Sequence, residues 1–147
     1  MHLKKILFPT DFSHTGDAAL ALATSMARDT GATLLIIHVE EPPMAYGGGE
    51  MYYGVPEPDL KTLKTMLSEV KPSDPEVPYE HRLITGHPAH ALVQLAESED
   101  VDLIVMGTHG RTGLTRLLMG SVAENVMRKA PCPVLTYKEP SEKPAKT

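Results

Sequence analysis

Five short apolar runs alternate along the chain with segments of helical periodicity. KKILFP (4–9) is apolar and ends in Pro-Thr-Asp, which marks a buried strand. From Gly16 to Thr30 the chain turns to Ala, Leu and Met, with Ala19, Leu22, Met26 and Thr30 on one face and Gly31 placed to end a helix. TLLIIHV (33–39) has no polar alternation and predicts a second strand covered on both faces. DLKTLKTMLSEV (59–70) repeats Leu60, Leu63 and Leu67 at helical spacing. YEHRLIT (79–85) is a more polar strand, suited to a sheet edge. His87-Pro88 then opens a helix whose apolar face is Leu92, Leu95 and Ala96. DLIVMG (102–107) is the fourth strand, a helix is predicted over 121–129, and PVLTYK (133–138) is the fifth strand. Strands separated by helical crossovers run parallel. The pattern predicts an α/β fold, a doubly wound five-stranded parallel sheet with helices on both faces.

Residues 41–58, EPPMAYGGGEMYYGVPEP, form a connection longer than most, rich in Pro and Gly. Its Met44, Tyr46, Met51, Tyr52 and Tyr53 suit either a contact surface or a cover for the chain's own core. The last nine residues, 139–147, read as a polar tail after a single domain over 1–138.

Composition narrows the function classes. A net charge of −5 argues against a nucleic-acid surface, which carries a basic stripe. No apolar run is long enough to span a bilayer, and Pro9 and Asp11 interrupt the N-terminal stretch too early for a signal peptide. The single cysteine, Cys132, excludes an intramolecular disulfide and suits a reducing compartment, so a cytoplasmic domain is expected. Flanked by prolines at the entry to a strand, it reads as an inert thiol.

In doubly wound sheets ligands sit beyond the carboxyl ends of the strands, where the strand order reverses. Two such loops carry chemistry: PTDFS (9–13) and the segment opening GTHGRTG (107–113). The second resembles a phosphate loop, but a P-loop would end in Gly-Lys-Ser/Thr, whereas here Ser121 follows Gly120 directly and no lysine follows until Lys129. Glycines at 107, 110 and 113 let backbone N–H groups approach an anion. Ser121 and Glu124 have capping-box spacing, which makes Ser121 the expected N-cap of the last helix, and that helix start can seat a phosphate. Spacing alone leaves open whether the glycines only turn a corner. His87 and His90 have no cysteine or carboxylate pair at ligand spacing, so His87 reads as a helix-entry residue. His38 reads as structural.

Gly107, two residues, Gly110, nine residues, then Gly120-Ser121 resembles the G-x2-G-x9-G-[S/T] signature of ATP-binding universal stress proteins. The resemblance extends to P-T-D-x-S after the first strand, His38-Val39 at the end of the second, G-x-P at Gly86–Pro88, D-L-I-V-M-G-T-H-G-R, and the P-C-P-V-L ending. It covers about residues 3–138.

The resemblance implies ATP, or another adenine nucleotide, carried with Mg2+. Pro9, Thr10 and Asp11 would hold the nucleotide, Asp11 lying near the ribose or the magnesium ion. Main-chain groups at Val39 would read the adenine edge. The triphosphate would run along Gly107, Thr108, His109, Gly110 and Arg111 to Gly120, Ser121 and Val122. The family's strand order puts residues 133–138 at an edge, where a homodimer can form. Arg111 and Arg116 supply charge, but no P-loop lysine or positioned base is evident, so a nucleotide-dependent stress sensor or switch is expected ahead of a slow ATPase, a nucleotidyl-transfer enzyme or a module without nucleotide.

Overall fold

The computed structural model describes residues 2–13, 16–42, 59–108 and 120–138. Its elements are β1 (Lys5–Pro9), α1 (Asp17–Thr30), β2 (Thr33–Glu40), α2 (Leu60–Ser68), β3 (Tyr79–Thr85), α3 (Pro88–Ser98), β4 (Leu103–Gly107), α4 (Ser121–Lys129) and β5 (Val134–Tyr137). The strands form one parallel sheet in the order β3-β2-β1-β4-β5. This is the doubly wound fold that the alternation predicts, and the polar third strand does lie at an edge.

The uninterrupted apolar runs are explained by a core on each side of the sheet. Side chains alternate along a strand, so each run divides between two layers. Ile6, Phe8, Leu34, Ile36, Leu103 and Val105 face α1 and Leu67 of α2. Leu7, Leu35, Ile37, Val39, Ile104 and Met106 face α3 and α4. Polar substitution in β1, β2 or β4 would therefore reach a core whichever way it pointed.

Helix α1 packs differently from the expectation. Its buried stripe is Ala19, Ala23, Thr24 and Ala27, while Leu22 is only half-buried and Thr30 is exposed. Small side chains let the helix backbone settle close to the sheet, and larger residues are displaced to the flanks of the contact. Thr24 satisfies its buried hydroxyl by donating to the Leu20 carbonyl at 2.8 Å. Gly31 ends the helix with φ 77°, its N–H donating to the Ala27 carbonyl. That left-handed conformation is the reason a glycine belongs there.

Glu99, just after α3, joins Lys5 at the start of β1 at 3.2 Å and Arg82 in the middle of β3 at 3.3 Å. The Lys5 ammonium, first by hydrogen bond and then by charge, holds the Glu99 carboxyl below its ordinary value of 4.5, with Arg82 adding to the effect. A lowered folded-state pKa means stability that is complete above that ordinary value and lost as pH falls through the folded one. Glu99→Gln is therefore expected to lower the melting temperature at pH 7, with the difference from wild type shrinking as melts are repeated down to pH 3.

Candidate functional site

The switch in strand order falls between β1 and β4. The chain leaves β1 through α1 toward β2 on one side, while β4 lies on the other. Their carboxyl-end loops consequently open onto a common crevice.

The first wall is residues 9–13. Pro9 is still in register with Ile37, and the Thr10 N–H extends the ladder by donating to the Ile37 carbonyl at 2.8 Å. The chain then turns sharply. Thr10 Oγ1 accepts the Phe12 N–H at 3.0 Å, and Asp11 Oδ1 accepts the Ser13 N–H at 2.9 Å and the Ser13 hydroxyl. Phe12 adopts φ 68°, a left-handed conformation unusual for a bulky side chain. Asp11 therefore braces its own loop and does not cap α1, whose N-cap is Gly16. It remains half-buried, between two residues whose backbones are pinned.

The second wall comes from β4 and α4. Thr108 donates its N–H to the Tyr137 carbonyl at 3.2 Å, and Gly120 donates to the Thr108 carbonyl at 2.7 Å. The two described ends of the glycine-rich segment are thus tied together at the mouth of the crevice. Gly120, with φ −63° and ψ 152°, is the N-cap of α4, and no side-chain hydrogen bond caps the helix. Ser121 is therefore not the N-cap that the S-x-x-E spacing predicts; it is the first helical residue, and it is exposed. The Gly120–Thr108 bond fixes where the chain enters the helix and shifts the cap by one residue. Glu124 instead pairs with Arg128 at 2.8 Å, one turn on. The N–H groups of Ser121, Val122 and Ala123 have no intrahelical acceptor, because they open a helix, and they carry its partial positive charge.

The floor is apolar. Val39, Met106 and Ala123 are buried in the α3/α4 layer, and Val122 packs against the same layer. The structure thus brings Pro9, Thr10, Asp11, Val39, Gly107, Thr108, Gly120, Ser121 and Val122 to the carboxyl end of one sheet. His109, Gly110 and Arg111 lie outside the described residues, as do Gly113, Arg116, the aromatic and methionine cluster of 44–53, and the tail 139–147.

Two participants were not singled out by spacing. His38 is buried beneath the first loop, with Nδ1 2.8 Å from the Thr10 carbonyl. Phe12 lies against its ring, centroids 4.4 Å apart. The available signal was a histidine inside an otherwise apolar run, two residues after Ile36 and so on the same face.

Elsewhere, His87 occupies the N-cap of α3 with Pro88 behind it, the helix-entry position expected of it. Burial and, to a smaller degree, Asp102 push the Cys132 thiol up, which suits an unreactive side chain. Among the described residues, no group of three or more His, Cys, Asp or Glu side chains could hold a metal ion, and no helix is long and apolar enough to cross a membrane.

The universal stress protein family model matches residues 2–138. The chain is 37% identical over 148 residues to universal stress protein MJ0531 of Methanocaldococcus jannaschii, covering 95% of this chain and 84% of that one. It is 32% identical to MJ0577 of the same organism, covering 92% and 94%. The solved structure of MJ0577 superposes with a TM-score of 0.73 over 97% of this chain and all of that one, at 27% identity. A universal stress protein in complex with cAMP superposes at 0.68 and 26% identity, over 93% and 98% of the two chains. One from Archaeoglobus fulgidus in complex with dAMP superposes at 0.62 and 26% identity, over 92% and 98%. Fold, strand order and family match agree: this chain belongs to the universal stress protein family.

Proposed function

We propose that this protein binds an adenine nucleotide, ATP in the first instance, and acts as a nucleotide-dependent switch in a stress response. The observation that carries the reading is the convergence at the β1/β4 switch point. A braced polar loop, an apolar floor containing Val39 and Val122, and an open helix N-terminus meet there. These elements suit the ribose, the base and the phosphates respectively. The complexes of two relatives with cAMP and dAMP support the same ligand class.

In this reading Thr10 and Asp11 meet the sugar, and the main chain at Val39 meets the adenine edge. Gly107 and Thr108 lead the phosphates toward Gly120, Ser121 and Val122, with His109, Gly110 and Arg111 completing the cradle. The half-exposed carboxylate of Asp11 suits a magnesium ion carried by the phosphates, a hard cation that takes oxygen ligands and keeps several waters. Residues 1–138 constitute the binding domain, the protein works in the cytoplasm, and the outer edge of β5 pairs two copies of the chain.

A switch is favoured over an enzyme on physical grounds. Backbone N–H groups and a helix dipole stabilise a bound polyphosphate, but binding ground state and transition state equally does not speed the chemical step. Acceleration needs charge placed at the leaving oxygen and a group that orients water in line. The expected result is retention of nucleotide with turnover well below the roughly 1–100 s⁻¹ typical of kinases. Mass spectrometry of nucleotide released from the purified protein, followed by single-turnover assays with labelled ATP and Mg2+, tests this. Phosphate release at kinase-like rates, abolished in His109→Ala with binding intact, would replace the switch with an enzyme.

A further inference from the structure

His38 does something that neither packing nor the nucleotide contacts require. A carbonyl oxygen can only accept, so the 2.8 Å contact with Thr10 is a donation from Nδ1–H. In the neutral ring this fixes the tautomer and leaves Nε2 as a bare acceptor. That atom is buried and has no hydrogen-bond partner among the described residues. An unsatisfied buried acceptor is costly, so the imidazole sits here at a disadvantage to an ordinary core side chain.

What the ring provides is control of the loop above it. Phe12 holds a left-handed φ of 68°, and such a conformation persists only where the surroundings over-determine it. Two constraints act on this turn from within, through Thr10 Oγ1 and Asp11 Oδ1. His38 adds two from below: Nδ1–H holds the Thr10 carbonyl, and the ring lies under the Phe12 ring at 4.4 Å, tilted by 37°. Asp11 is the residue between these two anchored neighbours. His38 follows Ile36 on the α1 face, whereas Val39 faces α3 and α4, so the histidine side chain is directed away from the apolar floor of the crevice.

We propose that His38 is a positioning residue for the candidate site, locking Thr10 and Phe12 from beneath so that Asp11 is presented to the ligand in one orientation. The inference rests on the nucleotide reading for its consequence, but its geometry can be tested without ligand. Phenylalanine at position 38 preserves an aromatic ring and removes the donor. Asparagine restores a donor close to where Nδ1 lies and lacks the ring.

The experiment compares wild type, His38→Phe, His38→Asn and Ile36→Val by amide NMR without ligand and by calorimetric titration with ATP and Mg2+. Ile36→Val trims the same buried strand without touching the loop, which separates positioning from loss of stability. In His38→Phe the amide resonances of Thr10 to Ser13 are expected to move or broaden, and ATP affinity to fall by about tenfold, the factor expected for loss of one such bond. His38→Asn should recover most of that affinity, and Ile36→Val should keep all of it. If His38→Phe does not fold, Phe12→Ala removes the other constraint, the ring contact, while leaving the His38 donor in place, and is expected to weaken binding in the folded protein. Nitrogen shifts of the neutral His38 ring should show the Nδ1–H tautomer. Unmoved loop amides with unchanged affinity, or the opposite tautomer, would overturn the inference. Moved loop amides in a protein whose wild type binds no ATP would overturn the nucleotide reading instead.

Discussion

Ile36→Ala is expected to remove about 2–5 kcal/mol of stability, a large share of the roughly 5–15 kcal/mol that holds a domain of this kind together. Ile36 is fully buried in a strand that pairs on both sides, with Phe8 of β1 beside it and His81 of β3 across the other ladder. Its side chain lies in the layer formed by Phe8, Leu34 and the alanine stripe of α1. That stripe offers little scope for collapse into the void, because alanines have no length with which to follow. Urea titration should show a lower midpoint with an unchanged slope, and the melting temperature should drop by roughly 10 °C. Leu60→Ala is the matched control. Leu60 is 50% exposed, and its truncation should cost less than about 0.5 kcal/mol. Equal losses at the two positions would contradict the layered core.

The second large effect concerns assembly. β5 lies at the sheet edge and is half-buried at every position. Ile104 pairs with Val134 and donates its N–H to the Pro133 carbonyl. In a parallel ladder this directs the N–H groups of Leu135 and Tyr137 inward and leaves those of Val134 and Thr136 pointing away from β4. An open edge of this kind can pair with a second copy about a two-fold axis. Thr136→Pro removes an outward donor and keeps the internal ladder, since proline is tolerated on the outer side of an edge strand. Light scattering is expected to show a two-chain mass for wild type and a one-chain mass for Thr136→Pro, with unchanged far-UV dichroism. A two-chain mass in the variant, or a wild type that is already a single chain, would place the proposed interface elsewhere or remove it.

The order and type of the elements could be read from the sequence because apolar runs and helical repeats are separated by Gly and Pro at nearly every boundary. Gly31 and Pro88 each sit where a helix ends or begins. Of the strand order, the polarity of β3 gave its edge position, while the edge position of β5 came through family resemblance, since nothing local tells β1 which strands will flank it. What the sequence misdirected were choices made by tertiary contacts. Leu22 and Met26 look like the inner face of α1, yet alanines hold it because close approach to the sheet favours small residues. Ser121 has the chemistry of an N-cap, yet the Gly120–Thr108 hydrogen bond sets the helix start one residue earlier. At the site, PTDFS was conspicuous from its polar residues. The left-handed Phe12 and its support by His38 were not, because those two residues are 26 positions apart and no periodicity links them.

The central claim is that an adenine nucleotide occupies the crevice at the carboxyl ends of β1 and β4, and an amide NMR titration with ATP and Mg2+ tests it most directly. The account predicts saturable shifts at Thr10, Asp11, Val39, Gly107, Thr108, Gly120, Ser121 and Val122, with Lys5 and Glu99 at the opposite end of the sheet unmoved. Absence of any saturable shift, or shifts concentrated around Lys5 and Glu99, would contradict it.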